Sequence, residues 1–257
     1  MKPEYDAVVV GAGVAGCMAA TAIGIHGKGS KVLLIDRNPQ AEVGKKTTRG
    51  WICGDAVGEH HTKFVKDELG IEFGPPEIES SVKAVLVSSP DRSVSYPFEG
   101  SGYALDRPKF ARRLLGEALK TGIEYRDLTQ AVDLLTEGSF VTGVVCQDLR
   151  AKQTESRLYK VTSKIVIDAS GMSTKLRRNL KIPSFIEKEI DRDDIEPTIR
   201  LIARLADGIT VDISHCDIHL DAERAPGGYL WLFPKKADKV NIGLGIQKKR
   251  TNKSLET

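Results

Sequence analysis

Residues 5–10 form an apolar run that ends on a glycine, the pattern of a strand buried on both faces. Residues 14–25 follow as a helix, and Ala15, Ala19, Ala20 and Ala22 would let it lie close against a sheet. A turn over 27–30 leads to a second buried strand at 31–36, so the chain opens as a βαβ unit. Residues 44–58, rich in glycine and polar positions, read as a loop, and 61–69 as a short helix. Residues 82–88 and 93–96 alternate as strands around a Pro90-Asp91 turn. Residues 107–121 are amphipathic, with Phe110, Leu114, Leu115 and Ala118 on one face, Pro108 in the first turn and Gly122 past the end. A strand at 123–128 precedes a three-stranded antiparallel meander at 131–135, 140–147 and 156–161, and another buried strand at 164–168. Residues 182–196 are charged and unpatterned. Strands at 198–205, 217–220, 229–233 and 240–244 then predict a more open antiparallel sheet, giving an α/β chain of two interleaved domains.

Composition narrows the class without naming a function. The 257 residues are 40% hydrophobic and 28% charged, with a net charge of +3, which is ordinary for a globular protein and makes no case for nucleic acid. No run approaches the roughly 20 apolar residues of a membrane span, and residues 7–10 lack the flanks of a secretory signal. Four cysteines without a CxxC pair predict free thiols in a reducing cytoplasm, and no metal-ligand spacing is present.

The strongest local motif is Gly11-Ala12-Gly13-Val14-Ala15-Gly16, which follows a strand and opens a helix. Gly11 permits a tight turn, Gly13 lets the backbone approach a pyrophosphate, and Gly16 lets the helix pack on the strand. Free N–H groups at the helix start would face the phosphates. Asp36, at the end of the second strand and 20 residues after Gly16, is placed to bond the ribose hydroxyls. The motif predicts a dinucleotide site.

The order that follows, loop, hairpin, helix and meander, resembles the flavoprotein fold of the aromatic hydroxylases. Asp106-Arg107-Pro108-Lys109-Phe110 resembles that superfamily's helix start, whose arginine reaches the flavin end of FAD. Asp168-Ala169-Ser170-Gly171-Met172-Ser173, with Arg177, partly resembles its second fingerprint, having Ala-Ser-Gly where Asp-Gly is commoner.

Two stretches resemble a narrower family, the archaeal-type geranylgeranyl reductases. Cys53-Gly54-Asp55-Ala56 is similar to their "CGDA" loop, whose cysteine lies beside the flavin ring; Lys45, Lys46 and Arg49 come just before it. Tyr229-Leu230-Trp231-Leu232-Phe233-Pro234, followed by Gly243-Leu244-Gly245, is similar to their "YxWxFP…GxG" motif. On a strand the three aromatics share one face and form an apolar wall. The other explanation of that wall is ordinary sheet core.

The resemblance implies a Rossmann-like FAD-binding domain with a meander over 1–75 and 102–180. An antiparallel β-sheet substrate domain would occupy 76–101 and 181–257. It carries FAD contacts onto Gly11, Gly13, Ala15, Gly16, Asp36 and Arg37, onto Cys53, Gly54, Ala56 and Arg107, and onto Ala131, Asp168 and Gly171. Lipid contacts fall on Tyr229, Trp231, Phe233, Pro234, Gly243 and Gly245. The implied reaction is hydride delivery from reduced FAD to an isolated C=C of a geranylgeranyl chain, in membrane lipid biosynthesis. An unpolarised alkene also needs a proton nearly in step, and Cys53 is the candidate to give it or to position a water. Ferredoxin or NAD(P)H would supply electrons, and the protein would be cytoplasmic, with possible peripheral contact to the membrane. Family members continue into a "GD" segment that contacts FAD. Here Ile246 leads to a polar end at Thr257, so the resemblance implies a fragment with an incomplete flavin site. A flavin-dependent monooxygenase or halogenase and a non-enzymatic prenyl-binding escort protein are the alternatives.

Overall fold

The computed structural model describes residues 3–44, 54–150, 157–173 and 175–251. In chain order its strands are β1 (Tyr5–Val10), β2 (Val32–Ile35), β3 (Ala56–Gly58), β4 (Ile78–Ser88), β5 (Ser95–Leu105), β6 (Glu124–Arg126), β7 (Thr129–Glu137), β8 (Phe140–Asp148), β9 (Leu158–Asp168), β10 (Thr198–Arg204), β11 (His215–His219), β12 (Tyr229–Lys236) and β13 (Lys239–Gly245). The helices are α1 (Val14–His26), α2 (Glu59–Leu69), α3 (Arg107–Lys120) and α4 (Lys175–Arg178). Contacts group the chain into two compact units: Met1–Thr47 with Ala111–Glu189, and Thr48–Phe110 with Ile190–Thr257.

The first unit is built on a six-stranded sheet in the order β6-β2-β1-β9-β8-β7. β1 pairs in parallel with β2 and β9, while β7, β8 and β9 form the antiparallel meander. β1 and β2 are almost wholly buried because Val8, Leu33 and Ile35 pack with Val144, Val161 and Leu176 into one core. Burying each such side chain contributes roughly 1.5–3 kcal/mol. The strands expected at 156–161 and 164–168 are one strand, β9. Its first half pairs with β8 and its second half with β1. Thr162 and Ser163 interrupt the apolar pattern at the handover, but ladder hydrogen bonds are made by backbone and are indifferent to that.

The second unit carries a seven-stranded sheet in the order β10-β13-β12-β11-β4-β5-β3. It is antiparallel except for the β4–β11 pair. β5 runs far beyond the expected 93–96, because Pro97, Gly100 and Gly102 hide an 11-residue strand that pairs with β4 throughout. β3, unforeseen in the glycine-rich loop, pairs with its far end. By their contacts, residues 54–75 and 102–110 group with this sheet.

Candidate active site

In the first unit the glycine motif forms the turn from β1 into α1. Gly11 has φ +102, and a Cβ there would lie 2.5 Å from the Ala169 carbonyl oxygen. A Cβ on Gly16 would lie 1.7 Å from the Gly11 carbonyl oxygen, so helix and turn touch at a point that admits no side chain. Gly13 differs: a Cβ there would meet nothing within 4 Å, so its lack of a side chain leaves open space in front of the helix. Gly13 is the N-cap of α1, with no side-chain cap hydrogen bond and no acidic residue in the first turn. Ala15 lies exposed in that turn. The positive end of the helix is left for an external anion.

Asp36 closes this loop. One carboxylate oxygen accepts the Ala12 N–H at 2.7 Å and the other the Asn38 N–H at 2.7 Å. Arg37 follows it, half-buried. Burial, then the Asp36 charge, pushes the Cys17 thiol up to about 12. Burial likewise raises the Cys146 thiol to about 11 and the Cys216 thiol to about 12, and the three described cysteines are free and buried. At the end of β9, Asp168 pairs with Val10 and accepts the Ser170 N–H at 3.1 Å. Gly171 has φ +67. Ala131 on β7 is 7% exposed and belongs to the core.

The second unit holds the aromatic strand. Tyr229, Trp231 and Phe233 stand on one face of β12, with neighbouring ring centroids 6.1 and 6.2 Å apart. With Thr198, Gly54, Asp55 and Ala56 they line a cavity of about 210 Å³. That is below the usual range for a whole ligand and leaves room for a segment of one. The two glycines seat the wall. A Cβ on Gly243 would lie 2.3 Å from Trp231 Cζ2, so the indole lies across that gap. Gly245 brings its carbonyl against Gly228, where a Cβ would be 2.0 Å away. Gly54 lies against Phe233, with 2.8 Å from a would-be Cβ to Cε2. Pro234 is buried, and its carbonyl accepts the Ser80 hydroxyl at 3.1 Å.

Beneath the wall lies a charged cluster of which sequence reasoning singled out only Arg107. Asp55, 2% exposed and with φ +66, accepts from Lys235 Nζ at 3.1 Å and from Asn241 Nδ2 at 3.0 Å, both to Oδ2. Arg107 Nε lies 3.6 Å from its Oδ1, and that guanidinium sits 5.5 Å over the Phe110 ring. Lys235, 3% exposed, also pairs with Glu79 Oε2 at 2.9 Å and donates to the Leu105 carbonyl. A buried ammonium is tolerated only when paired. Nothing local announced it, because the expected strand ended at Phe233 and a register shift between Pro234 and Lys236 breaks the alternation at Lys235.

Residues 6–218 match the family model for FAD dependent oxidoreductase. The chain belongs to that family. Residues 194–257, which contain the aromatic strand and its glycines, match the model for the geranylgeranyl reductase catalytic domain. A digeranylgeranylglycerophospholipid reductase of Sulfolobus acidocaldarius is 34% identical over 95% of this chain and 51% of its own length. One from Methanococcoides burtonii is 34% identical over 98% of this chain and 57% of its own. The chain thus spans about half the length of the curated relatives it matches. A geranylgeranyl bacteriochlorophyll reductase-like protein from Thermoplasma acidophilum superposes with a TM-score of 0.80 at 25% identity, over 97% of this chain and 58% of that one. A flavin-dependent brominase gives a TM-score of 0.71 at 19% identity, a likeness of fold alone.

The resemblance to the geranylgeranyl reductases, the hydroxylase-like α/β fold and FAD as the cofactor are borne out by these matches. The uncapped helix and the open space at Gly13 fit the pyrophosphate of that cofactor. The expected site residues divide between the units. Gly11, Gly13, Ala15, Gly16, Asp36, Arg37, Ala131, Asp168 and Gly171 fall in the first, and Gly54, Ala56, Arg107 and the aromatic motif in the second. Cys53, with Lys45, Lys46 and Arg49, lies outside the described residues. Among the described residues no helix is long and apolar enough to cross a membrane, and no cluster of His, Cys, Asp and Glu could hold a metal ion.

Proposed function

We propose that this chain is the flavin-binding portion, with part of the substrate pocket, of an FAD-dependent geranylgeranyl reductase that saturates C=C bonds of isoprenoid lipids. The observation that carries the reading is the Tyr229–Trp231–Phe233 wall seated over Gly243, inside the segment that matches the geranylgeranyl reductase catalytic domain. An aromatic wall holds an alkenyl chain by burial, at roughly 25 cal/mol per Å² of apolar surface, and excludes water from the reacting bond.

In this reading reduced FAD supplies the hydride. The Gly11–Gly16 turn and the α1 amides hold the pyrophosphate, and Asp36, which fixes the turn, also accepts from the adenosine ribose. Arg37, Ala131, Asp168 and Gly171 complete the dinucleotide contacts, with Gly54, Ala56 and Arg107 toward the flavin. Cys53 gives or positions the proton. Ferredoxin or NAD(P)H reduces the flavin, and the lipid enters from a membrane surface that the protein meets peripherally.

The test is expression of a full-length form of this protein in cells that make unsaturated geranylgeranyl lipids. Lipid masses should rise by two hydrogens per saturated bond, and the purified protein should be yellow. A colourless protein, or unchanged lipids, overturns the reading. Anaerobic bleaching of the flavin by ferredoxin or by NAD(P)H identifies the donor.

A further inference from the structure

We propose that Asp55 is the positioning residue of the aromatic cavity: through Asn241 it fixes the indole of Trp231. The proposal deepens the function above and relies on it only for the identity of the ligand.

Trp231 is 6% exposed, so its indole N–H must find an acceptor inside the protein. It donates to Asn241 Oδ1 at 2.9 Å. A buried amide can supply that acceptor in only one of its two orientations, because a half-turn would put its NH₂ against the indole N–H. Asp55 makes the choice. A carboxylate oxygen only accepts, so Asn241 must turn Nδ2 toward Asp55, at 3.0 Å, and therefore Oδ1 toward Trp231.

Asp55 is itself held by Lys235 Nζ at 3.1 Å, with Arg107 Nε 3.6 Å from its other oxygen. Trp231 thus donates to Asn241 and Asn241 to Asp55, which also accepts from Lys235, so the hydrogen-bonded chain runs from the cavity wall to a carboxylate anchored from its far side. Gly243 supplies the room for the indole and this chain supplies the lock. Asp55 also has a left-handed backbone, a conformation that Asp adopts more readily than most residues with a side chain. An apolar ligand then meets a wall whose shape is set before it arrives.

The test uses the 257-residue chain with Trp51→Phe, which leaves Trp231 as the single tryptophan of this sequence. The time-resolved anisotropy of Trp231 is recorded without ligand in Asn241→Leu and Asp55→Asn, beside binding of geranylgeraniol. The expectation is a new fast component in the decay of both variants, and geranylgeraniol affinity weakened roughly three- to tenfold, the loss expected of one buried hydrogen bond. A residue with only a general structural role would lower the unfolding temperature without freeing the indole. Unchanged Trp231 anisotropy in folded Asn241→Leu overturns the proposal. Should Asp55→Asn not fold, Trp231→Phe replaces it. With the N–H gone, adding Asn241→Leu should cost no further affinity, and an undiminished loss in that double variant overturns the proposal. A freed indole in a protein that never binds geranylgeraniol supports the positioning role and counts against the lipid reading alone.

Discussion

The Asp36 carboxylate accepts the Ala12 backbone N–H at 2.7 Å, tying the end of β2 to the turn between β1 and α1. The bond joins residues 24 apart in sequence and is made by protein groups alone, so Asp36 has a part in shaping the turn itself. Asp36→Ala should therefore destabilise the apoprotein, by about 2 kcal/mol for a lost charge-assisted bond, and weaken FAD binding as well. Urea unfolding of the flavin-free protein separates the two effects. Unchanged apoprotein stability would assign Asp36 to the cofactor alone.

The glycines of the turn should separate by function. Gly16→Ala puts a methyl group 1.7 Å from the Gly11 carbonyl oxygen and should abolish folding or displace α1. Gly13→Ala meets nothing within 4 Å, so the fold should survive while FAD is blocked. Circular dichroism beside flavin absorbance reads both. A Gly13→Ala protein that retains flavin would argue against the pyrophosphate position.

Gly243→Ala should displace the Trp231 indole, because the new Cβ would lie 2.3 Å from Cζ2. A red-shifted tryptophan emission is expected, with a stability loss of about 1–3 kcal/mol for overpacking. Trp231→Phe in the same chain should recover only part of that loss, since the new Cβ would still lie 2.4 Å from the Ile199 carbonyl oxygen.

Glu79 should give the second unit an acid-sensitive step. Burial raises its carboxyl, but the hydrogen bonds from Lys239 at 2.8 Å and from Lys235 outweigh it and hold the group below its ordinary 4.5. A carboxyl depressed on folding contributes stability that is complete above the unfolded value and is lost as pH falls through the folded one. Unfolding midpoints should decline below about pH 4.5, and Glu79→Gln should flatten that part of the curve. Parallel curves for the two proteins would remove Glu79 as the cause.

Cys53→Ala in a full-length form should retain flavin and lose most of its turnover, as judged by lipid mass. Turnover close to wild type would free this residue from any part in proton delivery.

Much of the first unit was legible because its signals are local. The Gly11–Gly16 spacing, the apolar runs of β1 and β2, and the proline and glycine that bracket α3 each depend on near neighbours in the chain. The aromatic alternation of β12 was legible for the same reason. β5 was largely missed, since Pro97, Gly100 and Gly102 break the strand signal after residue 96 and its strand state comes from pairing with β4. The break at Thr162 and Ser163 hid the unity of β9 in the same way.

The sequence by itself determined that a glycine turn from β1 into α1 and an aromatic strand would form, because period and glycine placement act over a few residues. Only the tertiary structure decided that Asp55, Lys235 and Asn241, up to 186 positions apart, would meet beneath Trp231. A charge can be read from its letter, but the partner that makes its burial tolerable is chosen by how strands align in space.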